Sequence, residues 1–421
     1  MKTINSEQSL PSSSSTATRA AFGGTWLLIA GILIIAVNLR APITAVGPIV
    51  SNIQQTFGIS STMTGLLTTL PLLAFALISP LAPRIASRIG METSLFLAML
   101  VLAGAVITRS LPTLTALLAG TVLLGMAIAI ANVLLPSLIK RDFPASLGLM
   151  TGLFSVVMNL GAGLASGFSI PMAVGLGLGW EGMLASWSLL ALIAAAAWLP
   201  QVRVRQLQHK QRLVKTDHNR NSATGAAAGN KLLRSALAWQ VTLFMGLQSF
   251  SFYVNITWLP ELLHDRGMSH SGAGWMLFLL QIVSLPATFI VPIIAAKSRS
   301  QRPLAMITAI LLVVSYLGLL IAPSAWIPLW IMLLGISGGA GFSLAVMFFV
   351  LRTASTEQSA ELSGMAQSIG YLLAAAGPLL FGLLHDATHD WTASLWMILI
   401  VSALFGLAGW YAAADKTVNA Q

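Results

Sequence analysis

Twelve apolar runs of membrane-spanning length, separated by polar breaks, dictate most of what this 421-residue chain can fold into. They lie near residues 25–50, 62–82, 93–109, 113–137, 147–174, 183–200, 237–260, 272–295, 303–322, 325–350, 363–384 and 392–413. A helix needs about 20 apolar residues to cross a bilayer. Only 8% of the residues are charged, against about 25% in soluble domains, which excludes a soluble protein. The expected fold class is an all-α membrane protein with twelve transmembrane helices.

The charge pattern orients those helices. Net charge is +10, but the basic residues are parcelled out between apolar runs instead of gathered on one surface, so nucleic acid is not an expected partner. Nineteen of the 22 Lys and Arg fall on alternate connections, beginning with Lys2 and Arg19 and ending with Lys416. The opposite connections hold only Arg109 and Arg266. Cytoplasmic loops carry the excess of Lys and Arg, so both termini are expected in the cytoplasm. Residues 1–23 are expected to be a disordered tail. The run from Thr25 to about Val50 is too long for a signal-peptide core, and no cleavage site follows it. Residues 201–235 form the one long polar stretch, with eight basic residues, and divide six-span halves at 24–200 and 236–421. These charges enforce topology and tether the halves, with contact to anionic lipid as the alternative. The absence of cysteine excludes disulfides and thiolate metal sites.

The halves echo one another. Val37-Asn38-Leu39-Arg40 in span one matches Val254-Asn255-Ile256-Thr257 in span seven. Gly58-Ile59-Ser60 then Gly65 matches Gly267-Met268-Ser269 then Gly274. Spans five and eleven open on Thr151-Gly152 and Ser363-Gly364, at similar distances after basic residues. Two related six-helix halves joined by a linker describe a secondary transporter, with its site where the halves meet near the midplane.

Several strings carry a resemblance to known proteins. Pro83-Arg84-Ile85-Ala86-Ser87-Arg88-Ile89-Gly90 resembles the signature loop of the major facilitator superfamily, to which the chain is similar over nearly its whole length. Arg88 and Gly90 match that pattern; Pro83 stands for its first glycine, Ser87 for its aspartate, and Met91-Glu92 for a common basic pair. The resemblance assigns Arg84, Ser87, Arg88 and Gly90 to a conformational loop, while Ser87 removes the charge-relay carboxylate. Gly65 to Leu73, Asn132 to Pro144 (NVLLPSLIKRDFP) and Gly364 to Gly377 (GMAQSIGYLLAAAG) are similar to the cyanate and 2-nitroimidazole porter family, on its nitroimidazole side. The family implies the major facilitator fold, alternating access, a bacterial inner membrane and a small solute.

Inside the spans the ionisable inventory is nearly empty. All 12 Asp and Glu and all 6 His fall between the apolar runs, leaving Arg40 alone at membrane depth. Such a cation costs about 2.5–3.5 kcal/mol on insertion scales. It is expected either to await an anionic or electron-rich solute, or to snorkel to headgroups and backbone carbonyls. Thr44 lies one turn beyond it on the same face. Asn38 is two residues away, on nearly the opposite side of a regular helix. Asn38 precedes Pro42 by four residues, and Asn132 precedes Pro136 by four, so each asparagine carbonyl loses its helical donor. Asn255 with Pro260 is a looser version. In the second half Gln248, Gln281 and Gln367 are amides within spans, and Tyr371 lies one turn from Gln367. These are candidate pathway groups for a small planar, weakly polar molecule; the alternative is that they bond neighbouring helices.

Glycine-rich spans five, ten and eleven are expected to let helices approach and slide. Trp26, Trp180, Trp258, Trp326 and Trp391 are expected as interface anchors. No phosphate loop, metal cluster or catalytic triad occurs, so no cofactor and no enzyme activity are expected. Coupling stays open between facilitated diffusion, anion exchange and proton coupling through loop-edge groups such as Glu261 or Asp386. The expected partners are a small-molecule substrate, a coupling proton in the last case, and the lipid bilayer, with the chain a monomer. The competing readings are a multidrug or metabolite exporter of the same fold and a membrane sensor that moves no solute.

Overall fold

The computed structural model describes residues 14–59, 61–215 and 232–418. Residues 1–13 of the expected tail, 216–231 of the expected linker, and Ser60 lie outside the described residues. Regular structure among the described residues is helical throughout. The first half contains α1 (Ser14–Asn38), α2 (Ala41–Thr44), α3 (Val50–Phe57), α4 (Ser61–Ile78), α5 (Ala82–Ile89), α6 (Met91–Arg109), α7 (Leu114–Asp142), α8 (Leu147–Ile170) and α9 (Gly179–Lys215). The second contains α10 (Ala236–Asp265), α11 (His270–Lys297), α12 (Arg302–Ile321), α13 (Ile327–Leu351), α14 (Thr356–Thr388) and α15 (Thr392–Ala412).

Ten stretches are long and apolar enough to cross a bilayer, and the bent pair Thr69–Ile78 with Ala82–Ile89 makes an eleventh. The twelfth, α10, is 30 residues long but more polar. Its Thr242, Gln248, Ser249, Ser251 and Asn255 are buried in protein, where lipid does not meet them. Side chains of Thr113, Ser235, Ser269 and Ser355 each accept a backbone N–H three residues on and cap α7, α10, α11 and α14. Such caps are worth about 1 kcal/mol each and fix where the helices begin.

Four sequence expectations change. Span one is no continuous helix: α1 stops at Asn38, α2 restarts at Ala41, and a 3-10 turn at Gly47–Ile49 leads into α3. Pro42, without an N–H, sits at the start of α2, where no helical donor is required. The loop after span two is instead the helix α5, bent 54° from the end of α4. It stops at Gly90, whose φ of +89° would strain any other residue. Arg109, assigned to a connection, is buried at the end of α6. Of the five tryptophans expected as interface anchors, Trp26 and Trp326 are exposed, whereas Trp180 and Trp391 are buried. The indole N–H groups of Trp180, Trp258 and Trp391 donate to Thr56, the Pro378 carbonyl and Asp265. An indole that finds an internal acceptor gains more there than at a headgroup.

Helix pairing repeats between the halves. In the first, α6 packs on α7 and α9, α4 on α7, and α1 on α8; in the second, α12 packs on α13 and α15, α11 on α13, and α10 on α14. The halves meet through α8 against α11 and α4 against α14, partners related by the same pseudo-two-fold exchange. Glycines make these contacts close. A Cβ on Gly152 of α8 would lie 2.8 Å from the Phe289 carbonyl of α11, and one on Gly364 of α14 would lie 2.7 Å from the Ser79 carbonyl after α4. These two glycines are a matched pair in the sequence repeat.

Contact between the halves is concentrated at the end that carries the linker. Across it, Lys140 Nζ donates to the Val350 and Thr353 carbonyls and to Thr353 Oγ1. Ser368 Oγ donates to the Ala76 carbonyl, and Gln367 Nε2 to the Asn132 carbonyl. At the far end, Gly163, Leu164, Gly167 and Phe168 of α8 and Gly274, Trp275 and Phe278 of α11 are exposed. The molecule is closed at the linker end.

Candidate functional site

Arg40 occupies the break between α1 and α2, with φ −125° and ψ −34°. Leaving the helical path there, it points between the halves. Its Nη1 donates to Asn159 Oδ1 of α8 at 2.8 Å. Its guanidinium carbon lies 4.7 Å from the ring centroid of Phe252 on α10 and 4.8 Å from that of Phe342 on α13. Tyr253 and Tyr371 stand within electrostatic reach. Arg40 keeps partial solvent accessibility. One cation thus bridges an amide of its own half and aromatic faces of the other.

Energetics explain why it stays there without a counter-ion. The ion pairs among the described residues join Arg141 to Glu92 and Asp142, and the His385 ring lies beside Asp265 and Asp386; none of these contacts involves Arg40. Each aromatic face contributes about 0.5–2 kcal/mol, and a hydrogen bond from a charged donor about 1.5–3 kcal/mol. Together these offset an insertion cost of about 2.5–3.5 kcal/mol. None of these partners carries negative charge, so they leave the positive charge uncancelled, and only one of five guanidinium N–H donors has an acceptor among the described residues. A guanidinium so placed has the chemistry to meet an anion or a polarised acceptor.

The other candidate residues divide by direction. Asn38 faces away from Arg40: its Nδ2 donates to the Ile34 and Leu190 carbonyls, tying α1 to α9. Thr44 Oγ1 lies 3.0 Å from the Ala162 carbonyl and 3.2 Å from that of Arg40, so it backs onto α8. The carbonyl of Asn132, released by Pro136, accepts from Gln367 Nε2 at 3.2 Å, and Gln367 also donates to Ser363 Oγ. The Asn132 side chain is partly exposed, as is that of Gln281. Gln248 is buried with its Cγ facing Gly341 of α13. Asn255 accepts from the Tyr316 hydroxyl at 3.0 Å, which ties α10 to α12. Tyr371 is buried, its ring centroid 4.9 Å from that of Phe75 across the halves. The structure therefore brings Tyr371 near Arg40 and turns Asn38, Thr44 and Asn255 into ties within their own halves. Tyr316→Phe is expected to cost about 0.6 kcal/mol, the mean for interhelical side-chain hydrogen bonds in a membrane; thermal denaturation would read this, and transport should persist.

Asn159, Phe252, Phe342 and Tyr253 do not stand out in the sequence. Asn159 had a signal, a lone amide in an apolar run; the rings had none, because aromatic residues fill apolar runs anyway.

At the linker end, Ser87 Oγ donates to the Arg84 carbonyl, and both residues are exposed with Arg88. Arg84 lies within electrostatic reach of Glu361 on α14, which links α5 to the other half. Glu92, in the place of the signature loop's basic pair, is buried and bonded by Arg141 at 2.5 Å. Arg352, at the end of α13, donates to the Ala412 carbonyl and to Gln301; burial lowers its pKa to about 10, against the opposing pull of Asp415.

Comparison with known proteins identifies the family. The chain is 43% identical to the 2-nitroimidazole transporter of Escherichia coli over 93% of this chain and 97% of that one. It is 42% identical to the uncharacterized transporter YycB of Bacillus subtilis over 93% and 94%. It is 26% identical to the cyanate transport protein CynX of Escherichia coli over 86% and 90%. The fold is similar to that of the proton:xylose symporter XylE, with a TM-score of 0.73 and 15% identity over 93% of this chain and 97% of that one. The family model described as Major Facilitator Superfamily matches residues 28–378 and again 241–420. With twelve helical spans in two pseudo-symmetric halves, this multi-pass transporter belongs to the Major Facilitator Superfamily.

Proposed function

We propose that the chain carries a small anion or small planar polar solute across a bacterial inner membrane by alternating access, with Arg40 as the solute's anchor. The supporting observation is a guanidinium between the halves, facing Phe252 and Phe342, with four donors unspent and no carboxylate paired to it among the described residues. Cyanate offers a full negative charge, and a nitroheterocycle offers polarised nitro oxygens plus a flat face for the rings. Relatives named for 2-nitroimidazole and cyanate make these two chemistries the first to test. Tyr371, Asn132, Gln281 and Asn159 are the polar groups proposed to complete the pathway; Gln248 and Gln367 support its walls.

With nineteen basic residues on its side, the linker end is the cytoplasmic one, so the state described faces outward. The bundles 24–200 and 236–421 then rock about Arg40, with 201–235 as tether and the termini in the cytoplasm. The chain works as a monomer, since its site lies wholly between its own halves. Without a titratable carboxylate beside Arg40, solute gradients or groups outside the spans, such as Glu261 or Asp386, provide the coupling.

Flux into proteoliposomes tests this reading: cyanate or 2-nitroimidazole should enter faster than into protein-free liposomes. Equal rates for both, with a larger apolar compound moved instead, would favour the exporter reading. That reading draws on the contacts Arg40 already has with Asn159 and the two rings.

A further inference from the structure

We propose that the outer face of α12 and α15 holds one anionic phospholipid of the linker-side leaflet, with an acyl chain in the groove between the two helices and the phosphate on Arg302. The groove has a volume of about 420 Å³ and almost purely apolar walls, among them Met306, Ile310, Val314, Ala403 and Trp410. Its floor exists because Gly406 brings α15 close to Ala309, where an added Cβ would sit 3.0 Å from that methyl group. Larger neighbours on both helices then stand up as walls.

Length and charge choose the occupant. From Met306 to Val314 the groove runs about 12 Å at about 1.5 Å per helical residue, close to the ~15 Å depth of one leaflet. Arg302 lies one turn before Met306, where that leaflet's headgroups begin. Its guanidinium carbon is 4.7 Å from the Trp410 ring centroid, and its Nε donates to the Trp410 carbonyl. The side chain is thereby pinned over the groove mouth, and its Nη groups make no hydrogen bond to the described residues. Lys297 at the end of α11 and Arg299 in the connection to α12 add positive charge nearby. An apolar channel one leaflet deep, closed by a fixed cation, matches an anionic lipid and gives a zwitterionic one no equal gain.

Native mass spectrometry of the full chain, purified with equimolar phosphatidylglycerol and phosphatidylethanolamine, tests this. The wild type should retain one phosphatidylglycerol in preference. Arg302→Gln should lower that retention about fivefold, the equivalent of ~1 kcal/mol for one basic residue at an anionic surface, and leave phosphatidylethanolamine unchanged. Ala403→Trp, which fills an exposed groove position, should reduce retention of both lipids. Arg203→Gln, at an exposed arginine on α9, should alter neither. Equal retention of the two lipids by the wild type would overturn the proposal. So would phosphatidylglycerol retention unmoved by Arg302→Gln or by Ala403→Trp, or a dimer that Ala403→Trp dissociates.

Discussion

Arg40→Ala is expected to lower solute uptake into proteoliposomes by about 30-fold or more, because removing one partner of a buried charged contact costs about 2–5 kcal/mol. Arg40→Lys should retain a measurable part of the rate. An ammonium keeps the charge and can face one ring, yet it lacks the planar fork that serves Asn159 and a solute together. The order wild type, Lys, Ala is thus the signature of electrostatic recognition. Were Arg40 only a packing residue, Arg40→Lys and Arg40→Ala would move uptake little while both lowered thermal stability. Phe252 and Phe342 set the background: they hold the guanidinium without neutralising it, so the charge must go with the side chain.

Leucine at Gly152 or Gly364 is expected to stop transport by a different route. Either side chain would be driven into a carbonyl of the opposite half, Phe289 or Ser79, at the closed end. Overpacking costs about 1–3 kcal/mol, enough to shift a two-state equilibrium roughly 5- to 150-fold away from this closure. The linker end should then open. The chain has no cysteine, so a single introduced thiol reports without background. Ser79→Cys, buried behind Gly364, should resist a membrane-impermeant maleimide applied from the linker side and become labelled when Gly364→Leu is added. Because the two contacts are related by the repeat, Gly152→Leu should expose the same thiol. Labelling that stays slow in both would mean that this end does not open by parting the halves.

Much of this is legible in the sequence. Bilayer thickness imposes one length on every span, and the basic residues mark one side, so the twelve-helix plan follows from apolar runs and charge alone. The duplication was visible in Gly152 and Gly364, although their function, close approach to a carbonyl, is a property of two helices and not of a string. Pro136 announced a freed carbonyl at Asn132; that Gln367 of the other half would fill it depends on packing. Span one shows the limit most clearly. Asn38 and Arg40 are incompatible with one face of a regular helix, and the chain answers by breaking at Leu39–Arg40, which sends the asparagine to α9 and the arginine to α8 and the rings of the opposite half. The rings around the guanidinium were invisible, since a phenylalanine that faces a cation and one that fills a core are written alike.

Binding at equilibrium separates recognition from the transport cycle. Purified wild type should show a rise in melting temperature that grows with cyanate or 2-nitroimidazole concentration, since a ligand bound only by the folded state stabilises it by mass action. Arg40→Ala, folded and with its own melting transition, should show no such rise. An equal, saturating rise in both proteins would contradict the account, because the solute would then bind without the charge proposed to hold it.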